Sequence, residues 1–171
     1  RCRDGGCGAG VAGNLAATNT SGPGLALKSE AIGLAVMAEL PLVIIDVMRG
    51  GPSTGMPTKT ERTDLLQALH GRNGESPVVV IAPSTPDDCF HYTFMASKIA
   101  LEYMTPVIVL SDAFIGNGTS LWKLPKLAEL PEIKPNYVPA DFENYNATSR
   151  NEGTKVRYWA VPGTPGFEYR N

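Results

Sequence analysis

The chain has 171 residues, of which 43% are hydrophobic and 19% charged, and its formal net charge is −2 at pH 7. This length and apolar content suffice for one domain with a substantial core. The weak negative balance gives no electrostatic basis for binding nucleic acid or an anionic membrane, and no apolar run approaches the ~18 residues that a spanning helix needs.

Four strands and three helices are predicted to alternate along the chain, from the apolar periodicity and its breaks. The first dozen residues are glycine-rich and expected to be irregular. Strands are expected at 14–19, 42–47, 78–82 and 106–111, and helices at 26–39, 61–70 and from a start within 84–88 to about 103. The Val/Ile-rich runs are typical of strands buried on both faces. The alternation predicts an α/β fold with an open, mainly parallel sheet and helices on both faces.

The helical segments carry apolar residues at helical spacing. The first helix carries five in this way, and three leucines lie on one side of the second: Leu27, Ala31, Leu34, Ala35 and Ala38, then Leu65, Leu66 and Leu69. Such a stripe is expected to face the core.

The composition divides the chain near residue 120. Residues 1–120 are interpreted as one α/β domain. Residues 121–171 are rich in proline and poor in apolar runs. They are interpreted as a connection that lies over the domain or leads toward a further one.

Three loops follow predicted strands and therefore lie at the edge where open parallel sheets bind ligands. The loop at 18–24 contains hydroxyls and glycines, which suit close approach of a ligand, and a tight β–α turn is the alternative. The loop at 46–60 is long and places the cations Arg49 and Lys59 beside hydroxyls, which suits a carboxylate or phosphate. A solvated loop is the alternative there. The loop at 111–118 is interpreted as a plain strand exit or subunit contact.

Other site types are disfavoured by their local context. The Gly8-x-Gly10-x-x-Gly13 pattern has neither a strand before it nor a convincing helix after it, so dinucleotide binding is not expected. Ser21 lacks the Gly-x-Ser-x-Gly elbow of serine hydrolases. The three cysteines form no Cys-x-x-Cys pair, so no metal site is expected, and free thiols fit a reducing cytoplasm.

Several stretches together resemble the alpha subunit of 2-oxoacid:ferredoxin oxidoreductases, the 2-oxoglutarate type above all. The most specific stretch is Arg-Gly-Gly-Pro-Ser-Thr-Gly-Met-Pro-Thr-Lys-Thr at 49–60. Thr-Ser-Gly-Pro-Gly at 20–24 is shared with the pyrimidine-binding domains of acetolactate synthases, which use thiamine diphosphate, the cofactor of the oxidoreductases. The similarity continues through Asp-Leu-Leu-Gln-Ala at 64–68 and Trp-Ala-Val-Pro-Gly-Thr-Pro-Gly at 159–166.

The resemblance implies that residues 1–120 are a pyrimidine-binding α/β domain, incomplete at its N-terminus, of a thiamine-diphosphate-dependent enzyme. This enzyme oxidatively decarboxylates a 2-oxoacid to acyl-CoA and reduces ferredoxin. Arg49 and Thr58 match the positions that bind the 2-oxoacid in this family, and Thr20, Ser21 and Gly22 match the cofactor turn. The beta subunit would hold the diphosphate, its Mg²⁺ ion and an iron–sulfur cluster. The expected partners are therefore this beta subunit, ferredoxin, coenzyme A and the 2-oxoacid, in the cytoplasm.

The sequence also departs from the family. The glutamate that contacts the pyrimidine ring would precede Arg1, so no catalytic residue is expected in this chain and the chain alone is expected to be inactive. A Tyr-Pro-Ile-Thr-Pro motif is absent, and Met48 stands where glutamine is usual. The alternatives are another thiamine-dependent lyase or synthase, which product analysis would identify, and a non-enzymatic nucleotide-binding α/β domain.

Overall fold

A single four-stranded sheet organises the protein, seen in a computed structural model that describes residues 5–143 and 145–167. The strands are β1 (Ala16–Thr20), β2 (Leu42–Met48), β3 (Val79–Ile81) and β4 (Pro106–Asp112). They lie in the order β1-β2-β4-β3, and every neighbouring pair is parallel. The predicted open parallel sheet is confirmed.

Helices cover both faces of this sheet, as predicted. They are α1 (Gly5–Val11), α2 (Gly22–Ala26), α3 (Ser29–Met37), α4 (Leu65–His70), α5 (Pro86–Tyr103) and α6 (Ala113–Asn117). On one face Ala96 and Ala100 of α5 pack against Val43 and Val107. Helices α1 to α4 share a second apolar cluster with the other face. Within the described residues, no helix is long and apolar enough to cross a membrane.

The central strands are buried and the edge strands are not. Every residue of β4 is buried, as expected for a strand that is paired on both sides and covered on both faces. β3 pairs only with β4, and its Val79 is 36% exposed. The expectation of a fully buried strand at 78–82 is therefore wrong, because an apolar run does not reveal whether its strand lies at the edge of a sheet.

Two predicted helices differ from those observed. The helix expected at 26–39 is divided into α2 and α3, and Leu27, in the break between them, is 60% exposed. The helix expected at 61–70 begins only at Leu65, and its buried residue is Ala68, whereas Leu66 is 69% exposed. The leucine stripe does not face the core, because close packing on the sheet selects the smaller alanine.

The expectation of an irregular N-terminus is wrong for the residues that the structure describes. Residues 5–11 form α1, although glycine is a poor helix former. A side chain at Gly6 would lie 2.8 Å from a methyl group of Leu42, and one at Gly10 would lie 3.3 Å from Cβ of Leu40. Small residues let the helix approach the sheet closely, so tertiary packing outweighs the low helix propensity.

The segment after residue 120 contains little regular structure and lies against the domain. A 3₁₀ turn spans Leu127–Glu129. The backbone N–H of Lys134 donates to Glu102 of α5 at 2.9 Å, and Arg157 donates to the carbonyl of Ala38 at 2.8 Å. The part of the tail up to residue 167 is thus attached to the domain at several places, among them the ion pair of Arg150 with Glu39, while its role as a connection to a further domain stays a prediction.

Helix α5 begins at a side-chain cap that can be tested. Thr85 Oγ1 accepts a hydrogen bond from the backbone N–H of Asp88 at 3.3 Å, and Pro86 occupies the first turn. Thr85→Ala is expected to weaken the first turn by about 1 kcal/mol and so raise the hydrogen-exchange rate of the Asp88 amide about fivefold. Thr85→Ser, which retains the acceptor, is the control. Equal exchange in the alanine variant and the wild type would show that the cap contributes nothing.

Candidate functional site

The carboxyl ends of three strands meet at one edge of the sheet. β1 ends at Thr20, β2 at Met48 and β4 at Asp112, and Met48 is in register with Asp112. Because all strands are parallel, the segments that follow them converge at this edge, which is where open α/β sheets bind ligands. The candidate site is built from these segments.

The turn after β1 is held by the helix that follows β2. Ser21 is the N-cap residue of α2, and the Thr20 hydroxyl donates to the Ser21 carbonyl at 3.3 Å. Gly22 is buried, and the Gln67 side-chain amide donates to its carbonyl at 3.2 Å. A Cβ atom at Gly22 would lie 2.6 Å from Oδ1 of Asp64. The turn requires glycine here because the Asp64 carboxyl group occupies the space that a side chain would need.

Arg49 is brought next to this turn from the end of β2. Its Nε donates to Oγ of Ser21 at 3.0 Å. Its Nη1 is buried, and no acceptor in the described part of the chain hydrogen-bonds to it. A guanidinium has donors only, so this nitrogen needs an oxygen from another molecule. Two of the predicted site residues are therefore in direct contact, and one has an unused donor.

The loop after Arg49 folds back on itself. The Gly50 N–H donates to the Lys59 carbonyl at 2.6 Å, and Gly50 bridges to Met56. The Gly51 N–H donates to the Glu61 carboxylate at 2.9 Å. These bonds close the base of the loop beside the end of β2, so Arg49 is held at a fixed place while the tip of the loop is exposed.

Arg49 separates two clefts. One cleft, of ≈ 550 Å³, lies between the turn, Pro57 and α6.

 The other, of ≈ 500 Å³, lies between α2, α4 and Pro52. Thr20, Ser21 and Arg49 all line the first cleft, and Gly22 lines the second. Thr58 is exposed and lines neither, although its neighbour Pro57 does. The structure thus brings together four of the five predicted site residues.

A pair of buried carboxyl groups lies beneath the turn, and the sequence reasoning did not identify it. Asp46 of β2 is completely buried, and Asp64 is 9% exposed. Burial, followed by the charge of Asp64 and a hydrogen bond to it, raises the pKa of Asp46 to about 7. Burial also raises the pKa of Asp64, against the lowering effect of its hydrogen bond with Asp46. The one available signal was a single aspartate inside the apolar run of β2.

The end of β4 is occupied by structural contacts. Asp112 Oδ1 accepts hydrogen bonds from the N–H groups of Phe114 and Ile115 at 2.8 and 2.9 Å, and so caps α6. Its Oδ2 forms an ion pair with Arg62. Within residues 5–143 and 145–167, no group of three or more His, Cys, Asp or Glu side chains could hold a metal ion.

Comparison with known proteins identifies the relatives of this chain. It is 56% identical over 163 residues to the 2-oxoglutarate oxidoreductase subunit KorA of Mycobacterium tuberculosis, and this match covers 95% of this chain and 25% of that protein. It is 47% identical over 123 residues to the 2-oxoglutarate synthase subunit KorA of Archaeoglobus fulgidus, covering 72% of this chain and 36% of the relative. The chain therefore spans only about a quarter to a third of the length of these curated relatives.

A solved structure has the same fold. It is the 2-oxoglutarate:ferredoxin oxidoreductase from Magnetococcus marinus with 2-oxoglutarate, coenzyme A and succinyl-CoA bound. The TM-score is 0.91 at 39% identity, and the match covers 97% of this chain and 29% of that one. Residues 6–170 match the family described as pyruvate flavodoxin/ferredoxin oxidoreductase, thiamine diphosphate-binding. The resemblance noted in the sequence is confirmed, and the chain belongs to this thiamine-diphosphate-binding family.

Proposed function

We propose that the protein acts in the alpha subunit of a 2-oxoacid:ferredoxin oxidoreductase, where it helps to bind thiamine diphosphate and the 2-oxoacid. The reaction would convert the 2-oxoacid and coenzyme A to acyl-CoA and carbon dioxide, with the electrons passed to ferredoxin. The observation that carries this proposal is Arg49, which lines both clefts and whose buried Nη1 has no acceptor in the described part of the chain. 2-Oxoglutarate is the proposed substrate because both KorA relatives are named for it and the solved relative contains it.

Arg49 and Thr58 are the proposed substrate-binding residues. The Ser21 hydroxyl accepts from Arg49 Nε and orients the guanidinium, so that its terminal nitrogens remain for a carboxylate. An arginine fork matches the geometry of a carboxylate, which is why a lysine would be a poorer substitute. Thr58 is exposed in the loop, beside the cleft-lining Pro57, and supplies a hydroxyl at the rim.

The turn formed by Thr20, Ser21 and Gly22 is the proposed contact for the cofactor. Its residues suit a polar ring, because Thr20 and Ser21 place two hydroxyls along one cleft and Gly22 lines the other, on the two sides of Arg49. Thiamine diphosphate, when bound, supplies the carbanion chemistry that decarboxylation of a 2-oxoacid needs. The residues of this chain would orient the ring and the substrate carboxylate.

The remaining components are proposed to come from partners. A beta subunit would hold the diphosphate, Mg²⁺ and an iron–sulfur cluster, and ferredoxin would accept the electrons. This assignment is supported by the relatives, whose names describe subunits of larger enzymes. The chain alone would be inactive, and the assembled enzyme would work in the cytoplasm.

The proposal is tested with the complete protein, purified by a mild tag together with whatever subunits accompany it. We expect an iron–sulfur protein to co-purify, and we expect dye reduction that requires 2-oxoglutarate, coenzyme A and thiamine diphosphate. Omission of each component in turn is the control. Dye reduction with another 2-oxoacid only would change the substrate, and no reduction with any 2-oxoacid would overturn the proposed function. A carbon–carbon coupling product in place of acyl-CoA would indicate a synthase.

A further inference from the structure

Asp46 is an acid enclosed in an apolar environment. Leu42, Ile44 and Asp46 are two residues apart along β2 and share one face of the sheet. The side chain of Asp46 therefore faces the side that α2 to α4 cover. The register places it beside Thr20, the last residue of β1. Neither of its oxygens accepts a hydrogen bond in the described part of the chain, and Oδ2 of the neighbouring Asp64 is likewise buried without a partner there. An ionised carboxylate in such a place would be strongly disfavoured.

Asp64 connects this acid to the candidate site. It lies immediately before α4, and its carboxylate occupies the space beside Gly22, where a Cβ atom would lie 2.6 Å from Oδ1. The backbone N–H of Gly22 and the charge of Arg49 both favour the ionised form of Asp64. The carboxylate therefore lies between the buried acid on one side and two groups of the site on the other.

One proton satisfies both carboxyl groups. Two acids enclosed side by side do not both ionise, because their charges repel each other. Asp46, which has no other partner among the described residues, keeps the proton and donates a hydrogen bond to Asp64, which stays ionised toward Gly22 and Arg49. We propose that Asp46 and Asp64 form a singly protonated carboxyl pair that positions the Gly22 turn and the Arg49 guanidinium. Both are positioning residues, because they act through the groups that would contact the ligands.

The pair makes the site sensitive to pH. Burial raises the pKa of Asp46 to about 7, so the proton is present below neutral pH and lost above it. The charged groups that face the pair are Glu61, which adds negative charge, and Arg49, which offsets it. Loss of the proton would place a second negative charge beside Asp64, and the two carboxylates would repel each other. The contact of Asp64 with Gly22 should therefore weaken as the pH rises through about 7.

The shared proton is detected directly by infrared spectroscopy on the complete protein, without substrate. The carbonyl stretch of a protonated carboxylic acid is distinct from the bands of carboxylates. We expect this band in the wild type at about pH 6, its loss at about pH 9, and its absence from Asp46→Asn. Asp112→Asn is the matched control, because it replaces another buried aspartate, one that already accepts hydrogen bonds from two backbone N–H groups. The band should persist in this variant. A spectrum without a pH-dependent band, or a band that persists in Asp46→Asn, would overturn the proposal.

The positioning role is tested by kinetics and rests on the proposed function. Asp46→Asn keeps a donor for Asp64 but does not ionise, whereas Asp46→Leu has a similar size and no donor. We expect the KM for 2-oxoglutarate to rise with pH in the wild type and to stay level in Asp46→Asn, while Asp46→Leu raises it about tenfold or more at every pH. Equal KM values in the two variants, or a wild-type pH profile in Asp46→Asn, would show that the pair has no positioning role. A wild type without any turnover would instead refute the proposed function, and the infrared result would still decide whether the proton is shared.

Discussion

An Arg49→Ala variant of the complete enzyme is expected to lose about 10²–10³-fold in kcat/KM for the 2-oxoacid, mainly through a higher KM. Each hydrogen bond to a charged group contributes about 1.5–3 kcal/mol, and the fork would supply two of them to the carboxylate. Arg49 is suited to this role because Ser21 holds its Nε at 3.0 Å and its buried Nη1 has no acceptor among the described residues. Initial rates over a range of 2-oxoacid concentrations measure the effect.

Two further variants separate the geometry of the fork from charge alone. Arg49→Lys keeps the charge without the planar fork, and we expect it to recover only a small part of the lost activity. Arg150→Ala removes an equal charge from the surface ion pair with Glu39, whose atoms are 2.7 Å apart, and should leave the kinetics unchanged. Normal 2-oxoacid kinetics in Arg49→Ala would show that this residue does not bind the substrate carboxylate.

The sequence predicts the sheet well because apolar runs and their breaks reflect burial directly. All four strands occur close to the expected positions, and the parallel arrangement follows from their alternation with helices. The helices were less accurate. The alanines of the stripe expected at 26–39 are buried in α3, but its Leu34 is exposed, and α4 buries Ala68 and leaves Leu66 exposed. Which face of a short helix is buried depends on the distance to its neighbour, and hydrophobicity alone does not specify that distance.

The candidate site could be predicted in part. Arg49 and the turn at 20–22 follow strands that the apolar pattern reveals, so their proximity follows from the topology of a parallel sheet. The Asp46–Asp64 pair could not be predicted in this way, because eighteen positions separate the two acids and their contact depends on how α4 packs beside Gly22. A buried acid inside a strand is visible in the sequence, but its partner is visible only in the fold.

A Gly22→Ala variant is expected to raise the thiamine diphosphate concentration for half-maximal activity about tenfold or more. The added Cβ atom would lie 2.6 and 2.7 Å from the two carboxylate oxygens of Asp64. Asp64 is 9% exposed, so its side chain has little free space into which it could move. The turn itself must shift, and overpacking of this kind costs about 1–3 kcal/mol. Activity as a function of cofactor concentration measures the change.

Gly33→Ala is the matched control for this substitution. Gly33 lies inside α3, and a Cβ atom there would meet no other atom within 4 Å. Alanine is the better helix former by about 1 kcal/mol, so this variant should bind the cofactor normally and melt at the same temperature or higher. If Gly22→Ala lowers the melting temperature but leaves cofactor affinity unchanged, Gly22 serves only packing against α4. If the loss in free energy of cofactor binding exceeds the loss in free energy of unfolding, the turn contacts the cofactor. Strain that is confined to the fold would lower the free energy of unfolding without changing the affinity for the cofactor.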